Sequence, residues 1–284
     1  MNPAVPRTAA PTVVPPWPLL QAPPSWQSVD FISDLHLNSG EPATFRAWQD
    51  YMQSTRANAV FILGDLFDVW VGDDVLDRSA IESDQAPGFE NRCAQVLQEA
   101  SRRLDIFLLH GNRDFLIGPA FAKASGVSLL ADPGVLDFAG QRWLLSHGDA
   151  LCLADTDYML FRAQVRSAAW QQEFLAKPLV QRQQIARALR TQSETRKRSA
   201  VVYADVDSEA SCSWLHAARA STLIHGHTHK PADHALAPGL RRIVLSDWDA
   251  SATPARSEVL RLDVAFSNQA QGSTVQRMAA ALAA

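Results

Sequence analysis

Seven side chains of metal-binding type recur at comparable places in the chain: Asp34, His36, Asp65, Asn112, His147, His227 and His229. Each follows a short apolar or aromatic run, in SVDFISDLHL (28–37), NAVFILGDLFD (58–68), DIFLLHGNRD (105–114), QRWLLSHGDA (141–150) and STLIHGHTHK (221–230). Their donors are carboxylate or amide oxygen and imidazole nitrogen, without thiolate. That set suits manganese, iron or zinc and suits copper(I) or an iron–sulfur cluster poorly. Any one of these endings also reads as a turn or a helix cap, because Asp, Asn and Gly begin turns. Five in succession are hard to dismiss that way. The last is the densest: if Thr222-Leu223-Ile224 is a strand, its period of two sends His225, His227 and His229 toward one face as it frays into a loop.

To gather such residues the chain needs strands that end at one edge. The five runs read as strands buried on both faces, and RRIVLSDWD (241–249) and SEVLRLDVAF (257–266) read as two more without a ligand ending. Helix-like stretches, ATFRAWQDYMQST (43–55) and FENRCAQVLQEASRRL (89–104), alternate with the first of them. This is the pattern of a layered α/β fold, in which ligands gather beyond the carboxyl ends of the strands. Residues 1–27 carry a proline every third or fourth position, which is expected to prevent helix or sheet and leave a flexible, partly polyproline II arm. The domain is expected over 28–266, with an insertion at about 156–200, and the polar, alanine-rich tail 267–284 is expected to be frayed or weakly helical.

The order D-x-H, G-D, G-N-R-D, H-G-D, G-H-x-H resembles the calcineurin-like metallophosphoesterases over most of residues 29 to 250. The resemblance implies a β-sandwich flanked by helices and two metal sites: Asp34, His36, Asp65 and His229 around one ion, Asp65, Asn112, His147 and His227 around the other. Asp65 would bridge. Such a pair clamps the entering and leaving oxygens of a phosphoryl centre and acidifies a water, so in-line hydrolysis of a phosphoester or phosphoanhydride is expected. His225 is expected to orient a metal-bound imidazole, and Asp114 to hold His147 or another imidazole. His110, His216 and His234 are read as ordinary histidines. Many relatives have a histidine where Arg113 stands; an arginine stays charged and cannot act as general acid, but its planar fork suits a phosphate.

The finer wording of GDLFDVWVGDD (64–74), HGNRDFLIG (110–118), SHGDALCLAD (146–155) and IHGHTHKPADH (224–234) resembles the UDP-2,3-diacylglucosamine pyrophosphatase family of lipid A biosynthesis. That resemblance implies two Mn2+ ions and cleavage at the α-phosphate to UMP and 2,3-diacylglucosamine 1-phosphate. It also implies a peripheral enzyme on the cytoplasmic face of the inner membrane. Asp65, Asn112, Arg113 and His147 would carry catalysis, and Asn112, Arg113, Asp155, Ser193 and His227 would touch substrate. At the position where many relatives have Asn the chain has Lys197, a later lysine position holds Ala200, and Lys197 or Arg198 is expected to take over a charge contact there.

Residues 156–198 contain nine Lys or Arg against three Asp or Glu, an excess of six inside a chain of net charge -4. Apolar residues recur there at helical steps, so a basic amphipathic cap is expected, with Trp170, Phe174 and Leu175 burying acyl chains and the arginines facing anionic lipid. The alternative is that the apolar residues pack the helices together and the arginines are solvated. Three scattered cysteines fit a reducing, cytoplasmic compartment, and no stretch approaches the roughly 18–20 apolar residues of a membrane span. The mild net charge and the absence of an extended basic and aromatic track argue against nucleic acid, and no protein partner is expected. Another calcineurin-like phosphodiesterase or nucleotide pyrophosphatase, or a non-catalytic scaffold on this fold, are the competing readings.

Overall fold

The computed structural model describes residues 17–80, 88–198, 205–267 and 270–283. Two six-stranded sheets face each other. The first contains β2 (Ser28–Ile32), β3 (Ala59–Leu63), β4 (Asp105–Leu109) and β5 (Ser128–Leu130) in parallel, extended by antiparallel β11 (Glu258–Ser267) and β12 (Ala270–Ala279), in the order β12-β11-β2-β3-β4-β5. The second contains β1 (Leu19–Gln21), β6 (Gly134–Phe138), β7 (Gln141–Ser146), β8 (Thr222–His225), β9 (Ala232–Ala237) and β10 (Leu240–Val244), in the order β1-β6-β7-β8-β10-β9.

Alternation along each strand builds the layers. Val29, Phe31, Phe61, Leu63 and Leu109 point inward, where they meet Leu136, Phe138, Trp143, Leu145 and Ile224 of the second sheet. Phe31, Phe61 and Phe107 stand in register on neighbouring strands and stack, with ring centroids 5.1 and 4.8 Å apart. Their alternates, Ile32, Val60, Ile62, Ile106 and Leu108, face outward and are covered by α1 (Pro42–Ser54), α2 (Phe89–Ala100) and α3 (Pro119–Ser125). On the other flank Val135, Leu144 and Leu223 bury against Trp214 and Leu215 of α7 (Ser208–Ala218). The central strands β3, β7 and β8 are therefore buried on both sides over most of their length, as the unbroken runs in the sequence anticipate.

Two expectations change and a third holds. Residues 17–27 are not a free arm: β1 pairs parallel with β6, and Trp26 is buried against the edges of Phe61 and Phe107. Proline lacks a donor but keeps its acceptor, and the Pro18 carbonyl accepts from Val135 N–H at 2.9 Å, which suffices on an edge strand. Expected elements in residues 1–16 lie outside the described residues. The tail is neither frayed nor helical, because Ala270–Ala279 forms the hairpin partner of β11 along its full length, with a 3-10 turn at Ala280–Leu282. The insertion is helical as expected, in three pieces: α4 (Thr156–Val165), α5 (Ala168–Leu175) and α6 (Leu179–Arg198).

Candidate metal centre

The seven predicted ligands come together where β2, β3, β4, β7 and β8 end. His227 N–H donates to Asp34 Oδ2 at 2.9 Å and Gly226 N–H donates to the His147 carbonyl, so the loops of the two sheets are stitched to each other. The turns are tight. Asp34, His36, Asp65, His227 and His229 have φ between 48° and 67°, five of the seven described non-glycine residues with positive φ. An L-residue there costs on the order of 1–3 kcal/mol and persists only where surrounding structure enforces it. Gly111 and Gly226 show the crowding: a Cβ on Gly111 would lie 2.0 Å from Asp65 Oδ1, and one on Gly226 would lie 2.3 Å from Asp34 Oδ2.

Each aspartate is oriented by committing one oxygen to the frame. Asp34 Oδ2 accepts from Ser33 Oγ at 2.6 Å and from His227 N–H, which turns Oδ1 toward His229 Nε2 at 3.2 Å and His36 Nε2 at 3.9 Å. Asp65 Oδ1 accepts from Arg113 N–H at 2.9 Å, which leaves Oδ2 at 3.9 Å from His36 Nδ1 and 3.8 Å from His147 Nε2. The His147 ring is set by its Nδ1–H donating to the Leu63 carbonyl at 2.9 Å, so Nε2 faces Asn112 Oδ1 at 3.0 Å. His227 Nδ1 approaches the same amide oxygen at 2.9 Å, and His36 Nε2 and His229 Nε2 point at each other across 3.3 Å. Lone pairs of nitrogen and oxygen thus converge in pairs, and the buried His36 Nδ1 has no hydrogen-bond partner among the described residues. This donor set fits divalent cations.

Two groups of ligand atoms lie within 4.8 Å of one another: Asp34, His36 and His229, and Asp34, Asp65 and His147. Asp34 is common to both groups, although the resemblance assigns the shared position to Asp65. Asp65 Oδ2 is almost equidistant from one imidazole of each group, His36 at 3.9 Å and His147 at 3.8 Å.

Burial and crowding disturb the titration of the cluster. Burial opposes the Asp34 charge, but the His229 hydrogen bond and the His147 and His229 charges hold its carboxyl well below the usual range. Burial, with the negative charges of Asp114 and Asp34, pushes Asp65 up to about 7. His147 is raised to about 9 because Asp65, Asp34 and Asp149 outweigh its burial. Burial and the His147 charge push His227 down to about 3. The raised His147 favours a protonated imidazole, and a cation taken up on its Nε2 would displace that proton.

Two expected supporting roles, those of Asp114 and His225, are corrected. Asp114 holds no imidazole. It accepts from the backbone N–H groups of Leu66 at 2.7 Å and Gly111 at 2.8 Å, and so braces the loops that carry Asp65 and Asn112. His225 does not share a face with His227 and His229. The strand ends at His225, the left-handed turns follow, and its buried Nε2 lies 3.3 Å from Arg242 Nη1, whose guanidinium is paired with Asp205. Asp155 is exposed and caps α4 by accepting from Tyr158 N–H at 3.0 Å. Ser193 and Lys197 lie on α6, and their side chains are outside the described residues, as is Ala200.

The cap is fastened to the body by four of its arginines, Arg162, Arg166, Arg182 and Arg190. Arg182 is buried and pairs with Asp74 and the Val71 carbonyl. Arg190 pairs with Asp68, whose other oxygen takes Arg113 Nη1 at 2.9 Å. Arg162 donates to Asp149 at 2.8 Å, and Arg166 donates to the Gly111 carbonyl at 2.8 Å. Phe174 is buried with Trp170 stacked on it at 4.7 Å, so these two join the core under the cap, while Leu160, Phe161, Leu175 and Val180 remain exposed. Sequence reasoning missed Asp68, Asp149 and Asp247, the last 3.8 Å from His229 Nδ1. All three are Asp residues one to five positions past a strand, the signal that found Asp34.

Residues 28–231 match the family model of the calcineurin-like phosphoesterases, the class that these paired sheets and this cluster at their strand ends define. A UDP-2,3-diacylglucosamine hydrolase of Cellvibrio japonicus is 44% identical over 237 residues, which cover 78% of this chain and 95% of the relative. The proteins of the same name from Pseudomonas aeruginosa and Chromobacterium violaceum are each 43% identical, over 78% of this chain and 91% and 90% of theirs. The chain belongs to the calcineurin-like phosphoesterase family, in the branch of these UDP-2,3-diacylglucosamine hydrolases.

Proposed function

We propose that the protein is a two-metal hydrolase that cleaves the pyrophosphate bond of UDP-2,3-diacylglucosamine at the α-phosphate, giving UMP and 2,3-diacylglucosamine 1-phosphate, with Mn2+ as the cofactor. The observation that carries this reading is the convergence of all seven ligand-type residues in a chain 44% identical to a hydrolase of that name. Two divalent cations would supply Lewis acidity to the phosphoryl oxygens and lower the pKa of an attacking water. Asp34, His36, Asp65, Asn112, His147, His227 and His229 would hold them.

The remaining chemistry belongs to the rim. Arg113 is pinned by Asp68 at 2.9 Å with its Nε 3.6 Å from Asp65 Oδ2, which sets its fork beside the cluster, where it binds a phosphate oxygen. Because it stays protonated, the leaving group must depart without a proton from it, as a sugar phosphate or a nucleotide can. Asn112 and His227 would contact the same phosphate, and by the family resemblance Asp155, Ser193 and Lys197 would contact the glucosamine or uridine part. The acyl chains meet the exposed Leu160, Phe161, Leu175 and Val180 in place of Trp170 and Phe174, and the same face rests on the cytoplasmic side of the inner membrane. No described helix is long and apolar enough to cross a membrane.

The test is release of UMP from UDP-2,3-diacylglucosamine in detergent micelles with and without Mn2+, beside UDP-N-acetylglucosamine and an aryl phosphodiester. Fast, Mn2+-dependent turnover of the acylated compound alone is expected. Turnover of the soluble esters alone would keep the phosphoesterase and remove the lipid.

A further inference from the structure

Tyr158, Arg162 and Arg166 stand four residues apart on α4 and so share one helical face. That face meets a single buried carboxylate of the body, Asp149. Its Oδ2 accepts from Tyr158 OH at 2.6 Å and Arg162 Nε at 2.8 Å, and lies 3.8 Å from Arg166 Nη2. The anchored Tyr158 ring lies over the His227 imidazole, with centroids 5.9 Å apart and planes at 29°. The other ring against that imidazole is His147, edge-on at 5.1 Å and 67°.

Metal-binding imidazoles usually fix their orientation by donating the second ring nitrogen to a carboxylate or carbonyl, as His147 does to Leu63. Among the described residues, the ring bonds of His227 run only through Nδ1, toward Asn112 Oδ1 at 2.9 Å. Its orientation therefore depends on ring packing, and Tyr158 supplies the broad contact. We propose that Asp149 is a positioning residue for His227, acting through Tyr158: the carboxylate fixes the phenol, and the phenol ring fixes the imidazole. Arg162 keeps Asp149 charged and directed, and Arg166, bonded to the Gly111 carbonyl and 5.1 Å over the Phe115 ring, holds the same helix to the Asn112 loop. The cap is thereby wired to the ligand set by one side chain of the body. This inference rests on the reading of His227 as a ligand in a hydrolytic metal centre.

The experiment is a double-mutant cycle in the full chain: Asp149→Asn, Tyr158→Phe and both together. Kinetics are read on whichever diester the wild type turns over best, and the His227 ring signals are read by NMR in the metal-free protein. Each single substitution is expected to lower kcat about tenfold with KM within about twofold, the scale of a lost charge-assisted hydrogen bond. The double variant should be no worse than Asp149→Asn alone, since both act through one contact. In the NMR arm, the ring-current displacement of His227 should shrink in both single variants and no further in the double. Effects that multiply, or a folded Tyr158→Phe with wild-type kcat and unmoved His227 signals, would overturn the proposal. If Asp149→Asn does not fold, Tyr158→Phe decides alone by the same two readouts. A wild type inactive on the acylated nucleotide but active on an aryl diester sinks the substrate reading and leaves the cycle readable. With no turnover at all, the NMR arm decides.

Discussion

The metal cluster and the cap sit against each other but are held by different physics. The cluster is fixed by backbone: five strand ends, left-handed turns at five ligands and carboxylates tied to N–H groups of neighbouring loops. The cap is fixed by side chains, through the ion pairs Arg182 to Asp74, Arg190 to Asp68 and Arg162 to Asp149 and the buried Phe174, and keeps other apolar side chains in solvent. Short, directional constraints hold atoms to tenths of an ångström, as chemistry requires. Ion pairs on long side chains hold a helix to a surface while permitting it to shift, which suits a substrate with long chains.

The difference can be broken at either end. The largest effect is expected for Asp65→Ala, which removes the oxygen between the two imidazole groups. Turnover should fall by about 10³-fold or more, with circular dichroism unchanged, and near-normal activity would end the two-metal assignment. Gly111→Ala comes next. Its new Cβ meets Asp65 Oδ1 and N at 2.0 and 2.3 Å, so the loop must shift at a cost of roughly 1–3 kcal/mol. Both the melting temperature and bound metal should drop, and an unchanged metal content would show that the backbone is less exacting than argued.

On the cap side, Arg182→Ala leaves Asp74 half exposed and able to solvate, so the cost is held to about 1–2 kcal/mol. Hydrogen exchange should speed up in α5 and α6 while metal affinity stays constant; a fall in affinity would mean that α5 and α6, and not α4 alone, are coupled to the cluster. The smallest effect separates packing from lipid contact. Leu160→Ser with Val180→Ser should leave the melting temperature within about 1 kcal/mol of the wild type in stability terms and weaken liposome binding several-fold. Phe174→Ser should instead cost stability, roughly 2–4 kcal/mol. Equal loss of liposome binding in all variants would refute the division between the exposed and buried apolar residues.

The sequence made the cluster legible because its logic is local. A strand followed at once by a ligand needs no knowledge of partners, and Asp34, Asp65, Asn112 and His147 were found on that rule. Direction was not legible: whether Asp114 faces an imidazole or a backbone N–H, or His225 the cluster or Arg242, is decided by neighbours 17 to 49 residues away. The tail reads as polar and alanine-rich by itself and becomes a strand only because β11 offers a full set of partners. In the same way, Pro18 looked like a breaker until the edge of the second sheet supplied a use for its carbonyl. For the cap, composition announced charge and amphipathicity but not that the arginines would turn inward.

The left-handed turns at Asp34, His36, Asp65, His227 and His229 carry one more meaning. Glycine or asparagine would sit in those conformations with less discomfort than aspartate or histidine. A chain of this fold selected for endurance alone would relax there, gaining stability at each step. That none of the five positions has done so makes the centre a record of use, written in the backbone of a single molecule.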